Sequence, residues 1–237
     1  MSGHSKWASI KHKKATTDKK RSNVFGKLAN AITVAARSGQ DPSMNPNLQM
    51  AIDKAKSFNL PKDNIERAIK RADKGADGNQ VEEIVYEIYG PSGVAILATA
   101  LTDNKNRTTA EVKAVLNKLN GKMASSGAVQ FLFVQKGAIE ISIDGQGRDD
   151  IELKIIESGA DDYGEIEGGY LVYSDPHSVK DVVDKLKASG IKVANYQLVM
   201  EPKEMVELPD EQSEKVIKLL EALDELDDVN EVNSNLG

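Results

Sequence analysis

Cationic and ring-bearing side chains crowd the start of the chain. Gly3-His4-Ser5-Lys6-Trp7 is followed by Ile10-Lys11-His12-Lys13-Lys14 and then by Lys19, Lys20 and Arg21. Lysine ammonium groups supply point charges for phosphate oxygens, and an indole can stack on an exposed base or sugar, a contact worth about 1–3 kcal/mol per base. Trp7 is the single tryptophan, and placing it among polar, basic residues forgoes the gain of core burial unless it packs on something. One reading is an arm that binds a polyanion. The other is a solvated tail whose Trp7 docks on the body of the protein. Basic N-terminal arms often bind nucleic acid, which favours the first.

A second cationic set follows. Arg67, Arg71 and Lys74 are spaced i, i+4, i+7 with Lys70 beside them, which on a helix gives a basic stripe set apart from the apolar one. Lys27, on the first helical segment, belongs to the same candidate surface. Lys105 and Arg107 lie in the polar run Asp103–Arg107. That run reads either as a strand-to-helix turn, with Thr108 as the cap, or as a second contact to RNA or protein.

Catalytic chemistry finds little support. The chain has no cysteine, which removes thiolate nucleophiles, zinc-thiolate sites and disulfides. Its three histidines stand at positions 4, 12 and 177, and no His-Glu-x-x-His, nucleophile elbow or Walker lysine motif is present. Gly145-Gln146-Gly147 lacks the third glycine of a dinucleotide loop and reads as a turn. The acidic pairs Asp149-Asp150 and Asp161-Asp162 and the run Asp224–Asp228 lack EF-hand spacing and read as solvated faces. The expectation is a protein that is not an enzyme and uses neither cofactor nor metal.

Charge is divided along the chain. Residues 1–75 hold 16 Lys/Arg against 6 Asp/Glu, a balance of +10, while the rest hold 15 against 31, a balance of −16, which the net charge of −6 conceals. Such asymmetry suggests a polyanion-binding end joined to an acidic end open to protein partners. No run approaches the roughly 20 apolar residues that span a bilayer, so a cytoplasmic monomer is expected. A transit peptide fits less well, because Asp18 and the dense lysines resemble working sequence.

These residues need elements to position them. Positions 2–20 show neither helical nor strand period and read as an extended or poorly ordered arm. Val24, Leu28, Ile32 and Ala35 mark a first helix from Arg21, stopped by Gly39 and Asp41-Pro42. Asn45-Pro46 opens a second, with Leu48, Ala51, Ile52 and Ala55 inward. Pro61 opens a third, with Ile65, Ala68, Ile69 and Ala72, running to Gly75. Beyond a turn-rich hinge at 75–80 come strands Glu83–Tyr89 and Val94–Thr102, a helix opened by a Thr108-x-x-Glu111 capping box, and a strand Val129–Val134. Then follow strand 138–143, helix 149–158, strands 161–166 and 169–174, helix 177–188, strand 191–200, helix 211–226 and a short strand near Val229–Val232. The order βαββαβ in the middle of this series is a split βαβ, ferredoxin-like arrangement. The fold expected is multidomain, α and α+β. A three-helix bundle with its arm (1–77) precedes a ferredoxin-like α+β domain (78–134 plus 205–237), into which a second ferredoxin-like domain (135–204) is inserted.

Met1-Ser2-Gly3-His4-Ser5-Lys6-Trp7-Ala8 and Lys11-His12-Lys13-Lys14 resemble the N-terminal signature of the YebC/PmpR family. Asn45-Pro46-Asn47-Leu48, Asp53-Lys54-Ala55-Lys56 and Pro61–Ile69 resemble its helical domain, and Thr102–Thr108, Gly127–Phe131 and Gly159-Ala160-Asp161-Asp162 its α+β region. Ser9 departs from the asparagine the family often carries. The resemblance implies three domains and a probable DNA-binding transcriptional regulator. Eukaryotic relatives are mitochondrial translational activators, which keeps open a ribosome-associated translation factor binding rRNA or tRNA.

Overall fold

The computed structural model describes residues 18–72, 80–143, 145 and 147–237. Among them are seven α-helices and two antiparallel four-stranded sheets.

Helix α1 (Asp18–Ala35) starts three residues before the predicted position and runs into a 3-10 turn at Ala36–Ser38. Its Leu28, Ile32 and Ala36 recur every fourth residue and are buried. Gly39, at φ 147°, turns the chain out of the helix in a conformation that costs a side-chain-bearing residue dearly. Asn45 then fastens two helices at once. Its amide nitrogen donates to the carbonyls of Ala35 and Gly39 at 2.8 and 2.7 Å, while its oxygen accepts from Leu48 N at 3.1 Å and caps α2 (Pro46–Ser57). Helix α3 (Lys62–Arg71) follows Pro61. The three close a core of Leu28, Ile32, Leu48, Ile52, Leu60 and Ile65. The predicted end at Gly75 lies outside the described residues.

The first sheet contains β1 (Glu82–Tyr89), β2 (Ala95–Thr102), β3 (Lys122–Met123) and β8 (Val229–Ser234), in the order β3-β1-β2-β8. Helices α4 (Lys105–Lys118) and α7 (Asp210–Asp224) supply Val112, Leu116, Val216, Leu219, Leu220 and Leu223 to one face. The opposite face of β2 is covered by Val129 and Phe133, which pack on Ala95 and Leu97. Burial on both faces explains why β2 reads as a continuous apolar run rather than an alternating one.

The second sheet contains β4 (Phe133–Ser142), β5 (Asp162–Ile166), β6 (Gly169–Ser174) and β7 (Lys192–Pro202), in the order β5-β6-β4-β7. Helices α5 (Arg148–Glu157) and α6 (Val179–Ala188) cover it with Ile151, Ile155, Val182, Val183 and Leu186. Strand β6 approaches β4 so closely that a Cβ on Gly169 would stand 1.8 Å from the Ile141 carbonyl oxygen. Only glycine fits there.

Two local expectations fail for the same reason, namely partners distant in sequence. The Thr108 capping box does not form. Asn104 caps α4 by accepting from Arg107 N at 3.1 Å, and Thr108, fully buried one turn inside, gives its hydroxyl to Asp228 at 2.6 Å. The predicted strand Val129–Val134 is instead a 3-10 turn, Gln130–Leu132, leading into β4 at Phe133. Glu87 captures its amide groups. The two-residue strand β3 pairs with Ile88 and Tyr89 and carries too short a pattern to read.

Candidate nucleic-acid interface

Lys6, Trp7, Lys11, His12, Lys13, Lys14 and Lys74 lie outside the described residues. Lys19, Lys20 and Arg21 fall in the first turns of α1. This places the end of the basic run at the start of the helix that joins the bundle to the first sheet.

That joint is built from polar side chains of α1. Lys27 Nζ donates to the Asp224 carbonyl at the end of α7 over 2.5 Å, Asn23 Nδ2 to Glu225 O over 3.4 Å and Asn30 Nδ2 to Leu101 O at 3.5 Å. A cation beside the last carbonyls of a helix is favoured by their partial negative charge. The Lys27 ammonium therefore serves an internal junction. On the other side, α2 meets β7. Tyr196 Oη donates to Asp53 at 2.6 Å, Lys54 Nζ to Gln197 at 2.5 Å, and Met50 packs on the second core. Burial, then the Asp53 bond, pushes the Tyr196 hydroxyl above its ordinary pKa. The helical unit thus bridges both sheets.

Arg67 and Arg71 sit one turn apart on α3 and are both exposed, as is Lys70. Arg67 Nε donates to the Asp63 carbonyl at 3.2 Å and an amino nitrogen to Asn64 Oδ1. Arg71 reaches across to α1, donating to Thr33 Oγ1 at 3.2 Å and Asn30 Oδ1 at 2.6 Å. Between the two helices lies a groove of about 410 Å³. Phe25, Gly26 and Ala29 of α1 and Ala68 of α3 line it, and Asn64, Arg67 and Arg71 complete its walls. Phe25 escaped the sequence reading because Val24, Leu28 and Ile32 define the inward stripe. An aromatic beside a mid-helix glycine, one step off that stripe, is the signal that could have shown it.

Lys105 and Arg107 stand apart, at the start of α4. Lys105 is exposed. Arg107 pairs with Asp228 at 2.7 Å and Asp103 at 3.1 Å. Asp228 also accepts from Thr102 Oγ1 at 3.0 Å and from Thr108, and is 12% exposed in its side chain. Burial pushes its carboxyl up, but the hydroxyl bonds and the guanidinium outweigh that, leaving its pKa below the ordinary aspartate value. The cluster closes the first sheet where β8 returns, so Arg107 has a structural task independent of any ligand.

Among the described residues no group of three or more His, Asp or Glu gathers as metal ligands would. No described helix is long and apolar enough to cross a membrane.

Two family models match the chain. The profile described as the TACO1/YebC protein N-terminal domain matches residues 5–75, and that of the TACO1/YebC second and third domain matches residues 81–236. The chain belongs to the TACO1/YebC family. A relative from Trichlorobacter lovleyi, named a probable transcriptional regulatory protein, is 46% identical over 92% of this chain and 88% of its own. One from Geobacter sulfurreducens with the same description is 45% identical, again over 92% and 88%. The crystal structure of a conserved hypothetical protein from Aquifex aeolicus superposes with a TM-score of 0.91 at 42% identity, covering 98% of this chain and 97% of that one.

Proposed function

We propose that this TACO1/YebC-family protein is a non-enzymatic regulator of gene expression that binds nucleic acid, acting as a DNA-binding transcriptional regulator in the cytoplasm. The observation that carries the reading is the charge division: +10 in residues 1–75 against −16 in the rest. The names of the relatives support regulation of transcription. In this reading Lys6–Lys14, Lys19, Lys20 and Arg21 approach the phosphate backbone together with Arg67, Lys70, Arg71 and Lys74, while Trp7 stacks on an exposed ring. Phosphate contacts dominate affinity and position the protein without reading sequence.

The acidic remainder forms two ferredoxin-like units, the second inserted into the first, that orient the helical unit and present a surface to protein partners. The strand order of each sheet and the pairing of β8 with β2 support that division. The protein acts as a monomer without cofactor.

The test is sedimentation of the native protein from a lysate through sucrose, with and without RNase, at two salt concentrations. Retention at the top of the gradient, with promoter DNA enriched on pull-down, is expected. Cofractionation with ribosomal particles, lost on RNase treatment and at high salt, overturns the transcriptional reading in favour of one in translation.

A further inference from the structure

We propose that the groove between α1 and α3 seats an unpaired nucleotide, its base against Phe25 and its flanking phosphates on Arg67 and Arg71. The inference rests on the nucleic-acid reading above and specifies the state of the polymer it prefers.

The groove exists because of small side chains. Gly26, Ala29 and Ala68 stand where larger residues would close the space between the helices. A Cβ added at Gly26 would meet nothing within 4 Å. Glycine is poorly suited to a helix interior, costing more backbone entropy than alanine. Here it sits mid-helix in α1 at a position where alanine would meet no steric obstacle.

The chemistry of the walls is mixed in the way a nucleotide requires. Phe25 is half-buried and offers a flat apolar surface, and any base can stack on such a ring because every base has a π-face. Among the described residues, none lining the groove is acidic. Both guanidiniums are held through Nε and one amino nitrogen. The acceptors of these bonds are the Asp63 carbonyl and the side-chain oxygens of Asn64, Thr33 and Asn30, all uncharged, so neither arginine is neutralised at the rim by them. Five N–H donors per guanidinium leave the second amino group of each for a phosphate. A planar apolar wall with two fixed cations one turn apart complements an aromatic ring on a polyanionic chain.

A base can enter only if it is free of its stack and its pair. In a duplex both faces and the Watson–Crick edge are engaged, and extruding one nucleotide carries an energetic penalty. The groove therefore predicts preference for unpaired DNA or RNA. The ribose 2′-hydroxyl decides between those two sources.

The experiment is fluorescence anisotropy of the full chain with labelled dT12, rU12 and a 12-base-pair DNA duplex at one salt concentration, repeated with Gly26→Leu. Leucine fills the groove and is a better helix former than glycine, and circular dichroism with thermal melting verifies the fold of the variant. The expected result is at least about tenfold tighter binding of a single strand than of the duplex, the size of one stacked base, with that margin abolished by Gly26→Leu. Tighter binding of rU12 than dT12 assigns the seat to RNA, and the reverse assigns it to DNA. Equal binding of strand and duplex, or a Gly26→Leu variant that keeps the margin, overturns the groove inference and leaves the general reading intact. Binding of none of the three probes overturns both.

Discussion

Tyr196 Oη donates a 2.6 Å hydrogen bond to Asp53, a residue 143 positions earlier, and so pins helix α2 to the second sheet. Asp53 keeps a second donor, Gln49 Nε2 at 2.8 Å. Replacing Tyr196 by Phe removes one bond to a carboxylate without stripping it of partners and is expected to cost about 1–2 kcal/mol. Hydrogen exchange should rise in α2 and stay unchanged in α7. Because the folded state holds the Tyr196 pKa above its ordinary 10.0, the neutral phenol contributes stability that is complete below that value and is lost as pH rises through the folded pKa. The stability gap between the native protein and Tyr196→Phe should therefore narrow only on the alkaline side of pH 10, as followed by urea melts at fixed pH.

Glu87 organises the segment before β4. It is 6% exposed and accepts from Gly127 N, from Val129 N at 2.6 Å and from Gln130 N at 2.8 Å. Burial raises its pKa, and the three amides together lower it further than burial raises it, so the carboxyl titrates below its ordinary 4.5. For a depressed carboxyl the stability is complete above the unfolded value and lost as pH falls through the folded one. Glu87→Gln presents one oxygen where two now accept and is expected to cost about 2–3 kcal/mol at neutral pH. Its acid-unfolding curve should be shallower below pH 4.5 than that of the native protein. Parallel curves would show that Glu87 has no part in the acid transition.

Asp228 and Arg107 should respond unequally. Asp228→Ala removes the carboxylate that both the Thr102 and Thr108 hydroxyls reach, leaving them only each other at 2.8 Å and the Asn104 carbonyl at 3.1 Å from Thr108, and is expected to destabilise by about 2 kcal/mol. Arg107→Ala removes a partner that is 46% exposed, so it should move the melting temperature less. Calorimetry of both variants checks the order, and the reverse order would contradict the account of this cluster.

What the sequence disclosed follows from the range of the forces involved. The helix starts at Pro46 and near Pro61 were legible because cap and proline act within one turn, and β5 through β7 emerged from period and turn chemistry, whereas β4, expected at 138–143, begins at Phe133. Thr108 and Val129 were misread because Asn104-x-x-Arg107 and Thr108-x-x-Glu111 offer rival caps, and the choice between them is made by Asp228, 120 residues away from Thr108. In the same way Glu87, 42 residues before Val129, turns a β-prone run into a 3-10 turn. For the candidate site, the basic stripe on α3 was legible in spacing alone. The task of Lys27 at the end of α7 and the groove beside Phe25 were not, since both depend on how helices pack.

Gly169 offers a test of the second sheet. A Cβ there would collide with backbone at the Ile141 carbonyl, 1.8 Å away, and no rotamer change relieves a backbone clash. Gly169→Ala should break the pairing of β6 with β4 and cost more than the usual 1–3 kcal/mol of an overpacked core site. Loss of amide protection in β5 and β6 would be the readout, and full protection would contradict the register.

As proposed above, the basic first 75 residues bind nucleic acid through phosphates. The most direct test is the affinity of the full chain for duplex DNA as a function of salt, compared with a variant carrying Ala at Lys11, Lys13, Lys14 and Lys19. Each phosphate neutralised contributes about 0.9 to the slope of log K against log salt. A steep decline is expected for the native protein, with a slope up to about 4 units shallower for the variant. An identical slope in both would remove the arm from the interface, and affinity indifferent to salt would contradict the claim itself.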